Sequence, residues 1–213
     1  STVTVKTLNL RTMCREKMTE NVWDDIMIDR SVTDPSFIEA NIEVDGQERK
    51  HMRGGLRMKL RYKKASVDDL DILTDTRIEV LKAANKLSDD VDMSEVKTQS
   101  YLYHKRALVD GEHIAYLVFD EDRFAGAGGA SLFQVMPTYH NPSGRKAYIM
   151  NMYTAPEYRR KGIAYKTLDL LVGDIKSRGI SSISLEATDM GRPLYEKYGF
   201  IKMDAEMELP YSN

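Results

Sequence analysis

The residues that most restrict how this chain can fold run from Ala147 to Leu171, "AYIMNMYTAPEYRRKGIAYKTLDLL". A strand-like run leads through three consecutive bases and a glycine into a segment where Ala164, Leu168, Leu171 and Ile175 recur at helical spacing. Arg159, Arg160 and Lys161 therefore stand immediately before Gly162, where the helix begins. A helix N-terminus already carries partial positive charge and unpaired N–H groups, so acids and capping hydroxyls are favoured there and bases are not. An anion seated over the helix end reverses that preference, because it takes hydrogen bonds from the free amides and charge-assisted contacts from the basic side chains. The expected anion is a phosphate; the competing reading is a solvated basic turn.

Such an attraction has to be local. The 213 residues carry a formal net charge of -2, which gives no overall pull towards nucleic acid or an anionic membrane. With 42% apolar and 30% charged residues the composition is that of a soluble globular protein with one substantial core. Cys14 is the only cysteine, which excludes an internal disulfide and a multi-cysteine metal cage, and a reducing, cytoplasmic setting is expected. The four histidines are scattered without ligand spacing, so no metal is expected. No apolar run has the length of a membrane span, and no signal peptide is read at the start.

The chain divides near "RKHMRGGLRMKLRY", at Gly54 and Gly55, into an extension over residues 1–57 and a better-patterned domain over 58–213. In the latter, "KLRYKK" alternates as a strand, and Ser66 with Asp69 forms a capping box before a helix whose apolar face is Leu70, Leu73, Val80, Leu81 and Ala84. A second helix is expected from Ser94 to about Arg106. Two strands follow around a turn at Asp120 to Arg123, then the strand from Ala147 to Thr154 and the helix after Gly162. "SSISLEAT" reads as a strand, "GRPLYEKY" as a short helix stopped by Gly199, and "FIKM" with "AEMEL" as closing strands. The fold class is α/β (α+β): a mixed central sheet flanked by helices.

"Arg159-Arg160-Lys161-Gly162-Ile163-Ala164" resembles the R/Q-x-x-G-x-G/A signature of the GNAT N-acetyltransferase superfamily, and it lies between a strand and a helix as in that family. Downstream, "SISLEATDMGRPLYEKYGF" resembles the family's second landmark, a strand followed by a helix ending in L-Y-E-x-x-G-F. The resemblance covers residues 58 to 213. It implies the GNAT fold and transfer of an acetyl group from acetyl-coenzyme A to a primary amine of a small molecule or peptide by direct attack. It also implies where the cosubstrate lies: its pyrophosphate on the segment from Arg159 to Ala164, and its pantetheine arm along the backbone of Met152, Tyr153 and Thr154. Gly162 then leaves the phosphate a clear approach, and Ala164 stands where the family often has glycine.

The same resemblance assigns the chemistry. Tyr195 matches the family's tyrosine acid near the sulfur, since a phenol is protonated at neutral pH and can donate to a departing thiolate. Tyr198 is its competitor. Glu186, on the strand face opposite Ile183 and Leu185, is the candidate base, with Asp189 or solvent as substitutes. Apart from the resemblance, Arg77 and Arg192 can anchor an acidic part of the acceptor, against the reading of plain surface arginines, and His140 can border its site, against the reading of an exposed loop histidine. Ring packing for Tyr195 and plain solvation for Glu186 are the bland alternatives. A different-class reading is a non-catalytic acyl-coenzyme A sensor on the same fold; a P-loop nucleotidase fails because no lysine followed by serine or threonine comes after the glycine.

In residues 1–57, "TVTVKTLNL" alternates as a strand, "TENVWDDIMI" reads as a short helix capped by Thr19, and "SFIEANIEVDGQE" as a strand with a turn at Asp45-Gly46. Three readings stay open: an arm docked on the core, ranked first, an arm exchanged in a homodimer, or unrelated sequence ahead of a start at Met58.

Overall fold

The computed structural model describes residues 58–204 and 206–207 and, as backbone, two strands further upstream. Those two are β1 (Ile26–Asp29) and β2 (Phe37–Ile42). The remaining elements are β3 (Lys59–Lys64), α1 (Leu70–Asn85), α2 (Ser94–Val109), β4 (His113–Asp120), β5 (Arg123–Gln134), β6 (Arg145–Thr154), α3 (Ile163–Ser177), β7 (Ser182–Leu185) and α4 (Arg192–Tyr198). The sheet runs in chain order from β1 to β7. Neighbours are antiparallel except β6 and β7, which are parallel because α3 provides the crossover between them.

Local chemistry accounts for most of the element boundaries. Ser66 and Asp69 cap the start of the first helical segment: the Ser66 amide donates to the Asp69 carboxylate at 2.9 Å, and the Asp68 amide donates to the Ser66 hydroxyl at 3.3 Å. A 3-10 turn over Val67–Asp69 then runs into α1. The β4–β5 hairpin turns at Glu121, which has φ 56°.

α3 covers one face of the sheet and α1 with α2 the other. Ile114, Tyr116, Ala130, Ala147 and Ile149 form a core with Leu168, Leu171, Val172 and Ile175 of α3. Ala115, Leu117 and Ala127, of the opposite parity on β4 and β5, pack with Leu73 of α1. α3 approaches β5 closely because Gly128 has no side chain: a Cβ there would come within 2.6 Å of the Met152 sulfur and 2.8 Å of Thr167.

Four expectations are corrected. Ile26–Ile28, the end of the helix expected over "TENVWDDIMI", belong instead to strand β1 (Ile26–Asp29), paired in antiparallel register with β2 from Ile26↔Ile42 to Asp29↔Glu39. "FIKM" is not a strand. The Phe200 amide turns back to the Tyr195 carbonyl at 2.9 Å after left-handed Gly199, which aims the chain off the end of α4, and Ile201 and Met203 are exposed. The buried face of α3 starts at Ile163, with Ala164 half-buried. On α1 the buried side chains stop at Thr76, and Ala84 is exposed. "AEMEL", the strand of "TVTVKTLNL" and the Asp45-Gly46 turn lie wholly or partly outside the described residues. Among those residues no helix is long and apolar enough to cross a membrane.

Candidate active site

The α3 start has the form that the basic run demanded. Gly162 is the N-cap residue at φ 78°, in the left-handed region, and Arg160 before it is also left-handed at φ 61°. No side chain caps the helix, its first turn holds no acid, and the first helical bond is from the Lys166 amide to the Gly162 carbonyl at 3.0 Å. The amides of Ile163, Ala164 and Tyr165 are thus left without partners among the described residues. A Cβ on Gly162 would meet no protein atom within 4 Å. The glycine is therefore required by its backbone conformation and not by packing against the protein. The Arg159 Nε donates to the Thr154 carbonyl at 3.3 Å, and the Lys161 ammonium lies 5.3 Å from the centre of the Tyr158 ring. No carboxylate among the described residues pairs with Arg159, Arg160 or Lys161.

β6 leads to this helix start along an edge that loses its neighbour. β7 pairs with β6 only from Lys146↔Ser182 to Ile149↔Leu185, whereas β6 continues to Thr154. Past Ile149 the strand edge at Met152, Tyr153 and Thr154 is free of β7, and the Thr154 hydroxyl is buried without a hydrogen-bond partner. A bulge falls at the same place: Gly129 pairs with Met150 and Ala127 with Tyr153, so β6 holds one residue more than β5 across this interval. Asn151 takes up the extra residue at φ 58°. The bulge sends Met150 and Asn151, consecutive in sequence, into one cleft on the α1/α2 face, while Met152 packs on the α3 side.

The two catalytic candidates both follow β7 in the chain and lie on opposite faces of the sheet. Tyr195 on α4 belongs to the core on the α3 face, its ring edge-on to Phe200 at 6.1 Å, and its hydroxyl has no hydrogen-bond partner among the described residues. Burial raises its phenol above the ordinary value, which keeps it protonated. Tyr198 is engaged elsewhere: its hydroxyl donates to the Asp169 carboxylate at 3.2 Å. Ile183 and Leu185 pack on the α3 side, so Glu186 follows on the α1/α2 face. There it lies beside Tyr148, whose phenol is pushed up to about 12 by burial and then by the Glu186 carboxylate. Asp189 pairs with Arg192 at 3.6 Å, which occupies both of those candidates on the surface, and His140 is exposed against Tyr139.

The cleft that receives Met150 and Asn151 has a volume of ≈ 450 Å³ and is walled by α1, α2, β4 and β5. Of its polar side chains only Arg77 was singled out in the sequence. His104 and His113 sit with ring centres 5.2 Å apart, and the Tyr103 hydroxyl bonds His113 Nδ1 at 3.2 Å and also the Ser131 hydroxyl. Burial, and then the Arg77 charge, lowers His104 to about 4; burial, then His104 and Arg77, lowers His113 to about 3. Both imidazoles are neutral at neutral pH. These residues come from separate elements with no motif spacing, so only the contact of α2 with β4 and β5 reveals them. A larger cleft of ≈ 650 Å³ lies between α1 and α2, at Asp71, Asp75, Lys97 and Tyr101, and touches no residue of β6.

The profile of the Acetyltransferase (GNAT) family matches residues 81–200. A predicted acetyltransferase from Clostridium acetobutylicum, solved with acetyl-CoA, is 32% identical, with 71% of this chain and 96% of that chain covered and a TM-score of 0.66. A GCN5-related N-acetyltransferase from Ralstonia eutropha shares the fold at 23% identity, with 71% and 98% covered and a TM-score of 0.64. Glucosamine-6-phosphate N-acetyltransferase from Arabidopsis thaliana shares it at 15% identity, with 72% and 99% covered and a TM-score of 0.53. A search of curated protein sequences finds no match. With a family profile spanning more than half of the chain and a sheet, bulge and helix start arranged as described, the chain belongs to the GNAT acetyltransferase family.

Proposed function

We propose that the protein transfers the acetyl group of acetyl-CoA to a primary amine by direct attack. The observation that carries the reading is the strip of backbone that joins a β6 edge free of β7 at Met152–Thr154 to the unpartnered amides of Ile163, Ala164 and Tyr165, bordered by three bases that pair with no carboxylate among the described residues. Its two parts fit the two chemistries of the cosubstrate. An amide-bearing pantetheine arm pairs with a strand edge, and a pyrophosphate takes helix N-terminal amides and cationic side chains. The Clostridium neighbour solved with acetyl-CoA supports the same cosubstrate.

Acetyl-CoA supplies an activated thioester carbonyl. The protein's residues divide the remaining work by face. The acceptor enters from the α1/α2 side, where Glu186 takes a proton from the amine, directly or through water, and amides of the bulge at Asn151–Met152 steady the carbonyl oxygen. On the α3 side Tyr195 donates its phenolic proton to the departing sulfur, a role its raised pKa and unengaged hydroxyl suit. The C–N bond forms and the C–S bond breaks, the amine's proton passes to Glu186 and the Tyr195 proton to the sulfur, and exchange with solvent then returns both side chains to their starting states.

The test is a thiol-release assay over a panel of primary amines together with calorimetric binding of acetyl-CoA. Binding with acceptor-dependent thiol release is expected. Binding without turnover on any amine would make the protein an acyl-CoA sensor.

A further inference from the structure

We infer that the ≈ 450 Å³ cleft is the acceptor pocket and that it takes a small amine that also carries a carboxylate, with Arg77 holding the carboxylate and Asn151 the amine end. This rests on the acetyltransferase reading and goes beyond it by naming the acceptor's chemical class.

Arg77 is half-buried on α1 and has no carboxylate in ion-pair reach among the described residues. The groups that face it are Tyr103, Tyr148, His104 and His113, all uncharged at neutral pH, and Glu95 lines the cleft from an exposed position without pairing. Burial depresses the arginine's pKa, the mark of a cation short of compensation. An unpaired guanidinium in a partly dry pocket is costly, and a ligand anion removes that cost.

Two further side chains wait for partners in the same cleft. His104 Nδ1 and Asn151 Oδ1 are both buried with no hydrogen bond among the described residues, in residues 4% and 9% exposed. Asn151 Oδ1 only accepts, so it suits an amine N–H, and it stands at the bulge beside the β6 edge that is free of β7. Among the described residues Arg77 is the one cation lining the cleft, and a single fork matches a carboxylate monoanion better than a phosphate dianion. The volume is that of a small-molecule site.

The experiment measures binding to the CoA-loaded protein by calorimetry for free α- and ω-amino acids, for their methyl esters and for the corresponding decarboxylated amines, followed by acetyl transfer to the same compounds. At least one amino acid is expected to bind roughly tenfold or more tightly than its ester and its decarboxylated amine, the range of a charge-assisted bond. Arg77→Met is expected to erase that preference, Arg77→Lys to restore part of it, and both variants to keep their affinity for acetyl-CoA. Equal binding of ester and acid, failure of every amino acid to bind, or a preference that survives Arg77→Met overturns the inference. Selective binding without acetyl transfer upholds the pocket assignment and instead removes the catalytic reading.

Discussion

The β6–α3 strip and the α1/α2 cleft meet at the Asn151 bulge, yet they are built in opposite ways. The strip is made of backbone: the strand edge at Met152–Thr154, left-handed Gly162 and the free amides of Ile163–Tyr165, all within about fourteen residues of chain. The cleft is made of side chains from α1, α2, β4, β5 and β6, with Arg77 and Asn151 at its sequence extremes. A backbone site needs only a local conformation, so it tolerates many side chains and leaves a compact signature. A side-chain site needs the whole fold and leaves none. The proposed division of labour follows, with the invariant cosubstrate on the backbone and the acceptor among side chains.

The comparison can be broken most sharply at Tyr195, whose proposed role lies in the chemistry and on neither binding surface. Tyr195→Phe keeps the ring in its core and removes only the hydroxyl, so kcat should fall roughly 100- to 10,000-fold, with acetyl-CoA affinity unchanged in calorimetry. Full turnover under rate-limiting chemistry would assign the proton to solvent.

Gly162→Val probes the strip. A β-branched residue at φ 78° is strained by about 1–3 kcal/mol, and its side chain points where the phosphate is to lie, so acetyl-CoA should bind roughly tenfold or more weakly. Amine recognition should not change, and a matched loss for both ligands would join the two regions into one.

The cleft has its own signature in pH. His104 and His113 have folded pKa values of about 4 and about 3, below the unfolded value of 6.5. The unfolded chain therefore binds more protons below pH 6.5, and the two histidines' contribution, full above that pH, is lost as pH falls towards 4. Each can add a slope of at most ~1.4 kcal/mol per pH unit. Denaturant titrations from pH 7 to 4 should show that fall, and His104→Gln should flatten it. The smallest effect is expected at Tyr198→Phe, which removes one bond to Asp169: about 0.5–1.5 kcal/mol of stability and nearly unchanged turnover.

The same contrast explains what could be read from the sequence. The capping box at Ser66 and Asp69, the β4–β5 hairpin, the strand-to-helix turn at Gly162 and the stop at Gly199 are local signals, and each appears where the residues placed it. The bulge at Asn151 escaped because an alternating run looks the same with or without one extra residue; only its pairing with Gly-rich β5 exposes it. The cleft escaped because His104 and His113 come together only when α2 lies across β4. "FIKM" was misread because alternation says nothing of whether a neighbouring strand is there to receive it, and the cap at Gly199 aims the chain away.

Hydrogen exchange followed amide by amide, with and without acetyl-CoA, tests the central claim most directly. The account predicts that saturating acetyl-CoA slows exchange at Ile163, Ala164 and Tyr165 and along Met152–Thr154, and leaves the cleft-lining segment of α2 around Tyr103 and His104 unaffected. Binding with no protection at the start of α3, or with protection confined to the α1/α2 face, would contradict it.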